Sequence, residues 1–194
     1  RRKRKAALRR GLLCYRMFGG RAGAWRLALN SHGFSTDKEK RRMKKTKIFA
    51  HRGASAYAPE NTMEAFELAI AQGAEGIELD VQLTKDGVPV VIHDERIDRV
   101  TDGKGEVRGF TLEEIRGFSA SNQLPGFEKA KIPTLEEVLE LLAPGSCELN
   151  IELKTGIFWY PRLEEKVAEL VERWGMKERV IYSSFNHYSI QRIR

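Results

Sequence analysis

From about residue 47 onward, apolar and polar residues follow patterns whose period switches repeatedly between that of a strand and that of a helix. Short apolar or alternating runs predict five strands, at residues 47–51, 76–83, 88–93, 147–154 and 179–185. Helical periodicity marks "MEAFELAIAQ", "TLEEIRGF", "TLEEVLELL" and "RLEEKVAELVERW" between them. Strands that alternate with helices predict an α/β fold with a mainly parallel sheet.

Capping residues mark the ends of these helices. Asn61, followed three residues later by a glutamate, predicts a capping box at the start of the first helix, and Gly73 predicts its end. Thr111 and Thr134 each precede Leu-Glu-Glu and an apolar stripe, so both are predicted N-caps. Glu60 and Asn61 therefore receive a structural role in a turn and a helix cap, and no catalytic one.

Two predicted strands carry a polar face. Glu78 and Asp80 share one side of "GIELDVQL", and Glu152 and Lys154 share one side of "CELNIELK". An antiparallel sheet with one wetted face would explain this pattern, but the neighbouring helices need the apolar faces for their own packing. The polar faces are then expected to line the interior of a barrel near its mouth, where the active sites of TIM barrels lie.

The second and third strands are joined by a short turn. Asp86-Gly87 predicts a two-residue hairpin turn. Counting outward from it pairs Lys85 with Val88 and, in the same register, Asp80 with His93. We therefore expect a carboxylate and an imidazole to face each other across the two strands.

The net charge of +7 comes from one end of the chain. Residues 1–47 hold 17 Lys or Arg and two acidic residues, whereas the rest of the chain holds 17 basic and 25 acidic residues. We predict a basic extension over 1–42 that is disordered or not native, followed over 43–194 by the N-terminal part of a barrel with an insertion at about 95–131. The alternative for the extension is a polybasic tail that contacts anionic lipid or nucleic acid.

Other features narrow the class of protein. No run approaches the ~18 apolar residues of a transmembrane helix, and Arg16 interrupts the candidate signal core "GLLCYRMF". Cys14 and Cys147 lie in different contexts, so no disulfide framework is expected. We predict a cytoplasmic protein without stable membrane insertion and without a nucleic-acid partner for its acidic body, and we leave the oligomeric state open.

Seven polar side chains collect at the ends of predicted strands: His51, Arg52, Glu78, Asp80, His93, Glu152 and Lys154. The three carboxylates offer hard oxygen ligands that suit Mg²⁺ or Ca²⁺ and not a thiolate-bound zinc. Two histidines can act as acid and base near neutral pH, while an arginine and a lysine can bind phosphate oxygens. Taken singly, each residue has an ordinary structural explanation, but together they fit metal-assisted phosphoester cleavage.

These residues lie in stretches that resemble the glycerophosphodiester phosphodiesterase family, and closely its short bacterial cytoplasmic members. The stretches are "AHRGASAYAPENTMEAFELAIAQGAEGIELDVQLTKDGVPVVIHDE", "IPTLEEVLELL", "LNIELK" and "YSSFN", and the resemblance runs from about Lys47 to the C-terminus. It implies a TIM-like (β/α)8 barrel with a small insertion after the third strand. It also implies metal-dependent hydrolysis of small glycerophosphodiesters to sn-glycerol 3-phosphate and an alcohol.

The resemblance carries a role over to each of the seven positions. It implies an acid–base pair, three divalent-metal ligands and two phosphate-binding groups, which are, in that order, His51 and His93; Glu78, Asp80 and Glu152; and Arg52 and Lys154. In the mechanism usually proposed for the family, the glycerol 2-hydroxyl attacks phosphorus and water then opens a cyclic phosphate. The ion, Mg²⁺ or Ca²⁺, is left open.

The length of the chain limits these expectations. A complete barrel of this type takes ~250 residues, whereas residues 47–194 hold five predicted strands. We therefore expect a barrel truncated after about five strands, and a 194-residue chain that is inactive or nearly so by itself. Two alternatives stay open: a lysophospholipase D or phosphatidylinositol-type phosphodiesterase, and a non-catalytic fragment with a polybasic binding tail.

Overall fold

The computed structural model describes residues 46–193, so the predicted basic extension over 1–42 lies outside the described residues. Five strands lie within the described residues: β1 (Phe49–His51), β2 (Gly76–Leu83), β3 (Pro89–Val91), β4 (Glu148–Leu153) and β5 (Val180–Ser183). The same part of the chain contains five α-helices: α1 (Met63–Ala71), α2 (Leu112–Ile115), α3 (Leu135–Leu142), α4 (Leu163–Arg173) and α5 (His187–Arg192). Short 3-10 turns occupy Ile97–Arg99, Val107–Gly109 and Lys177–Arg179.

The strands form a single sheet in the order β1-β2-β4-β5, with all neighbours along this path parallel. β3 runs antiparallel to β2 and pairs with its last residues, beyond the point where β1 ends. The predicted α/β fold with a mainly parallel sheet is confirmed, and parallel strands added in chain order are how a TIM-like barrel begins. Over the described residues the sheet is open, because β1 and β5 are each paired on one side only.

The β2–β3 hairpin corrects the predicted register by one residue. Asp80 lies opposite Ile92, whose N–H donates a hydrogen bond of 3.0 Å to the Asp80 carbonyl, so the predicted Asp80–His93 pair is wrong. The turn has three residues instead of two, since Gly87 adopts a φ of +77° and closes the loop on Thr84. Lys85 donates its N–H to the carbonyl of Phe110, not to the partner strand.

Helix caps follow the sequence at most positions. Thr111 and Thr134 are the predicted N-caps, each within a capping box, and Gly73 follows α1 with a φ of +78°. The predicted cap at Asn61 is wrong by one residue: Thr62 is the N-cap of α1, and its hydroxyl oxygen accepts from the N–H of Ala65. The Asn61 side chain is thereby free to reach the neighbouring strand.

Two apolar clusters lie on the two sides of β3. The larger cluster packs the apolar faces of β2 and β4 against α1, α3 and α4, and it contains Val91 of β3. Val90 and Ile92 join a second cluster with Ile97, Val107 and other residues of the segment between β3 and α3. β2 and β4 leave their polar residues on the other side of the sheet. No helix within 46–193 is long and apolar enough to cross a membrane.

Candidate active site

Three buried carboxylates lie side by side on the polar face of the sheet. In the β2–β4 pair, Asp80 lies directly opposite Glu152, and in the β1–β2 pair, Glu78 lies opposite His51. The side chains of Glu78, Asp80 and Glu152 are 7%, 1% and 7% exposed. One oxygen from each lies within 4.8 Å of the others, so the triad could hold a metal ion.

The electrostatics of the triad fit a divalent cation. Burial, together with the neighbouring Asp80 carboxylate, raises the pKa of Glu78 to about 8. Oδ1 of Asp80 is buried and accepts no hydrogen bond from residues 46–193, although Lys154 Nζ lies 3.8 Å away. Lys154 Nζ also lies 3.2 Å from Glu152 Oε1. The three carboxylates of the triad thus lie beside two cationic side chains, Lys154 and Arg52. Within the described residues, Oδ1 of Asp80 has no hydrogen-bond donor of its own. Such a site favours an added positive charge.

The end of β1 brings His51 and Arg52 to the triad. His51 Nε2 lies 3.6 Å from Glu78 Oε2, and burial, with a smaller contribution from the Arg52 charge, lowers the pKa of His51. The chain then turns sharply, since Arg52 has a φ of +58° and Gly53 a φ of +76°. This turn aims the N–H of Arg52 at Glu78 Oε2, at 3.1 Å, and its Nε at Asp80 Oδ2, at 3.4 Å.

His93 approaches from the turn that follows β3. Its Nδ1 lies 2.6 Å from Asp94 Oδ1, which fixes the orientation of the ring. The backbone around His93 is held by the fully buried side chain of Gln82. Its Nε2 donates to the carbonyl oxygens of residues 92, 93 and 94, at 3.1, 3.1 and 2.6 Å. The hydroxyl of Tyr160 donates to Oε1 of the same Gln82 side chain at 2.8 Å.

Several residues that contact the site received no site role from the sequence. Asn61, given only a capping role, donates from Nδ2 to Asp80 Oδ2 at 2.9 Å. Glu60 accepts from Arg52 Nη1 at 2.9 Å and from both terminal nitrogens of Arg99. Asp94 and Arg99 complete the group, with Arg99 Nε donating to Asp94 Oδ2 at 2.6 Å. Their polar character and proximity to His51 and His93 in the sequence were the available signal, but their pairings are long-range.

One residue of the triad, Glu152, lines a cavity of about 290 Å³. Glu152 and Lys154 line one part of it, and Ile157 and Phe185 line another. A larger cavity of about 440 Å³, between α3, α4 and the β2–β3 turn, contains none of the seven predicted residues, so cavity volume alone does not locate the chemistry.

Comparison with known proteins identifies the family. Residues 51–194 match the glycerophosphoryl diester phosphodiesterase family. The chain belongs to this family. Glycerophosphodiester phosphodiesterases from Caldanaerobacter subterraneus subsp. tengcongensis and Bacillus altitudinis are each 52% identical to it, over 151 and 149 residues. These matches cover 77% and 75% of this chain, and 62% and 60% of the relatives.

Solved structures of this phosphodiesterase family share the fold. A crystal structure of glycerophosphodiester phosphodiesterase from Agrobacterium tumefaciens str. C58 is 42% identical, with a TM-score of 0.69, over 76% of this chain and 62% of that one. A phosphodiesterase from Oleispira antarctica, in complex with the product sn-glycerol-3-phosphate, is 34% identical, with a TM-score of 0.64, over 75% and 60%. The predicted family and TIM-like fold are confirmed, and the chain spans about three fifths of the length of these relatives.

Proposed function

We propose that the protein to which this chain belongs is a metal-dependent hydrolase that converts glycerophosphodiesters to sn-glycerol 3-phosphate and an alcohol. The observation that carries the proposal is the buried triad of Glu78, Asp80 and Glu152, with the predicted phosphate-binding and acid–base side chains around it. The names of the relatives and the product bound to the Oleispira enzyme support the choice of substrate.

In this proposal each group of residues has one task. The carboxylate triad holds Mg²⁺ or Ca²⁺, and the bound ion supplies positive charge that offsets the charge on the phosphodiester. Arg52 and Lys154 donate hydrogen bonds to the non-bridging phosphate oxygens and stabilise the charge that builds up on them. Both cations already lie against carboxylates of the triad, which holds them in place before substrate arrives.

His51 and His93 would move the protons of the reaction. One imidazole accepts the proton of the glycerol 2-hydroxyl as its oxygen bonds to phosphorus, and the other donates a proton to the alcohol oxygen whose bond to phosphorus breaks. Water then adds to the cyclic phosphate and opens it to glycerol 3-phosphate, with the two proton transfers running in reverse. A lowered pKa keeps His51 neutral near pH 7, which suits the accepting role.

The cavity beside the triad favours one alternative substrate class. Ile157 and Phe185, 70% and 72% exposed, lie along the same cavity as Glu152 and Lys154 and offer apolar contact to an acyl chain on the glycerol of the substrate. A lysophospholipid, attacked as by a lysophospholipase D, would use that contact. Rates with glycerophosphocholine and lysophosphatidylcholine in one assay separate the two classes.

The decisive experiment measures glycerol 3-phosphate released from glycerophosphocholine by the full-length gene product. We expect turnover that EDTA abolishes and that Mg²⁺ or Ca²⁺ restores. Glu152→Gln should lose both turnover and metal affinity, whereas Glu148→Gln, on the same strand but paired with Lys47, should lose neither. Unchanged turnover and metal affinity in Glu152→Gln would overturn the assignment of the triad.

Three further expectations belong to this proposal. We propose that the protein acts in the cytoplasm on a small-molecule substrate without a nucleic-acid partner. We also propose that the 194-residue chain turns over little substrate by itself, because a closed barrel has eight strands and the described sheet has four parallel ones. Metal-dependent release of glycerol 3-phosphate by the 194-residue chain would contradict this last point.

A further inference from the structure

Arg99 connects two sides of the site through four hydrogen bonds. It is the last residue of the 3-10 turn Ile97–Arg99, in the segment between β3 and α3. Its Nη1 and Nη2 donate to the two carboxylate oxygens of Glu60, at 2.9 and 2.7 Å. Its Nε and Nη2 donate to the two oxygens of Asp94, at 2.6 and 3.2 Å. One planar guanidinium therefore holds two carboxylates that are 34 positions apart in the sequence.

Each of these carboxylates also binds a different residue of the proposed reaction. Glu60 Oε1 accepts from Nη1 of Arg52, which we assign to phosphate binding, at 2.9 Å. Asp94 Oδ1 lies 2.6 Å from Nδ1 of His93, which we assign to proton transfer. A continuous series of contacts thus runs from Arg52 through Glu60, Arg99 and Asp94 to His93.

We propose that Arg99 is a positioning residue that sets the distance and relative orientation of Arg52 and His93, the phosphate-binding and proton-transferring groups of the proposed function. The inference rests on that function only for the roles of the two terminal residues. For proton transfer, the imidazole must lie within hydrogen-bond distance of the oxygen whose bond to phosphorus forms or breaks. A displacement of about 1 Å can lower a rate by roughly 100-fold.

The geometry requires arginine and not only a positive charge. The guanidinium fork presents several N–H groups in one plane and binds two carboxylates at once, whereas a lysine ammonium is a point charge on a flexible stem. A lysine at position 99 would keep the charge that neutralises Glu60 and Asp94 but would lose their fixed spacing. Arg99→Lys therefore separates an electrostatic role from a positioning role.

The same contacts contribute little to the stability of the fold, so a loss of positioning can be measured separately from a loss of folding. The Arg99 side chain is 44% exposed, and ion pairs at that exposure are screened by solvent and contribute little to stability. A role limited to attaching this segment to the β1–α1 loop would leave the ring of His93 and the affinity for phosphate unchanged. Arg96 offers a matched control, because it lies in the same segment and is 55% exposed, but pairs with Asp98.

The first measurement is independent of turnover. In the 194-residue chain labelled with ¹⁵N-histidine, the imidazole nitrogen shifts of His93 report its hydrogen bond to Asp94. We expect Arg99→Met and Arg99→Lys to change these shifts, and Arg96→Met to leave them unchanged. His187 begins α5 and is not in this series of contacts, so its shifts serve as an internal reference.

The second measurement follows the other end of the series. With Mg²⁺ present, we expect inorganic phosphate to bind about 10-fold more weakly to Arg99→Met than to the parent chain, a loss typical of removing a residue that orients a binding group. In the full-length gene product we expect kcat to fall by roughly 100-fold for Arg99→Met, with a smaller change in KM. Arg96→Met should match the parent in both assays.

The outcomes separate this inference from the function on which it rests. Unchanged His93 shifts and phosphate affinity in Arg99→Met overturn the positioning role, whether or not the parent turns over substrate. Parental behaviour of Arg99→Lys overturns it as well, and this variant also serves if Arg99→Met does not fold. If the full-length parent lacks turnover while Arg99→Met shifts His93 and Arg96→Met does not, the inference stands and the proposed function falls.

Discussion

The side-chain amide of Asn61 donates a 2.9 Å hydrogen bond to Oδ2 of Asp80, the most buried carboxylate of the triad. Asn61 is 3% exposed and holds a φ of +57°, a left-handed conformation that asparagine tolerates better than most residues. The hydrogen bond fixes one oxygen of Asp80, and the other oxygen, Oδ1, remains without a hydrogen bond among the triad. A residue in the loop before α1 thus orients a proposed metal ligand on β2.

We predict that Asn61→Ala weakens divalent-cation binding by about 10-fold, because it removes the group that orients Asp80. Isothermal titration with Mg²⁺ or Ca²⁺ measures this change. Alanine also adds roughly 1 kcal/mol of backbone strain at a positive φ. Asn122→Ala controls for that strain, since Asn122 has a φ of +48° and lies in the segment between β3 and α3. Equal cation affinity for Asn61→Ala and Asn122→Ala would contradict the prediction.

The raised pKa of Glu78 predicts a pH-dependent stability of the metal-free chain. Because this pKa is about 8 in the folded protein and 4.5 ordinarily, the folded state binds the proton more tightly than the unfolded state. Its contribution to stability is therefore full below about pH 4.5 and is lost as the pH rises towards about 8. Thermal unfolding across this window should show that Glu78→Gln loses less stability than the parent as the pH rises.

The lowered pKa of His51 acts in the opposite direction, since its contribution to stability is lost as the pH falls below about 6.5. The comparison is therefore between the parent and Glu78→Gln, and not the slope of either alone. Added Mg²⁺ or Ca²⁺ should reduce the difference, because a bound cation stabilises the ionised carboxylate. Parallel stability curves for the two metal-free chains would show that Glu78 titrates normally.

The buried Gln82 amide predicts a large loss of stability for an apolar replacement. Gln82→Leu leaves the carbonyls of residues 92 to 94 without their donor, and we expect a decrease of about 1–3 kcal/mol in the free energy of unfolding. Tyr160→Phe removes one hydrogen bond to the amide and should lower this free energy by about 1 kcal/mol. Urea denaturation measures both. Tyr188→Phe, at a side chain 74% exposed, should change nothing, and an equal loss there would argue against the Gln82 network.

Two glycines separate backbone strain from steric overlap. A Cβ on Gly53 would lie 2.8 Å from backbone and side-chain atoms of Ala65 in α1, whereas a Cβ on Gly73 would meet nothing within 4 Å. Both have a similar φ, +76° and +78°. Gly73→Ala should therefore lower the unfolding free energy by about 1–2 kcal/mol, and Gly53→Ala by several kcal/mol. Thermal or urea unfolding of the pair tests this, and equal losses would mean that α1 moves aside freely.

The sequence was sufficient for the features that depend on local pattern. Alternation along β2 and β4 predicted which side chains share a face, and parallel pairing of those strands then brings Asp80 beside Glu152. Thr111 and Thr134 were predicted as caps correctly, because a capping box is closed within four residues. The motifs also supported the family, which the comparisons confirm.

The register of the β2–β3 hairpin could not be predicted from neighbouring residues alone. Whether the turn has two or three residues depends on Lys85, whose N–H bonds to Phe110 in the following segment. Since the side-chain period of a strand is two, an error of one residue moved His93 into the wrong pair. The predicted cap of α1 was wrong for the same kind of reason, because the Asn61 side chain donates to the Asp80 carboxylate, 19 positions away.

The sequence by itself determined the parallel α/β pattern, the polar face and the choice of the seven residues that we propose for phosphodiester cleavage. Only the tertiary structure decided which groups support them: Asn61 on Asp80, Gln82 beneath His93, and Arg99 between Glu60 and Asp94. The physical reason is that periodicity and capping act over a few residues, whereas hydrogen bonds to buried or paired carboxylates form between whichever segments the packed sheet and loops bring within about 3 Å.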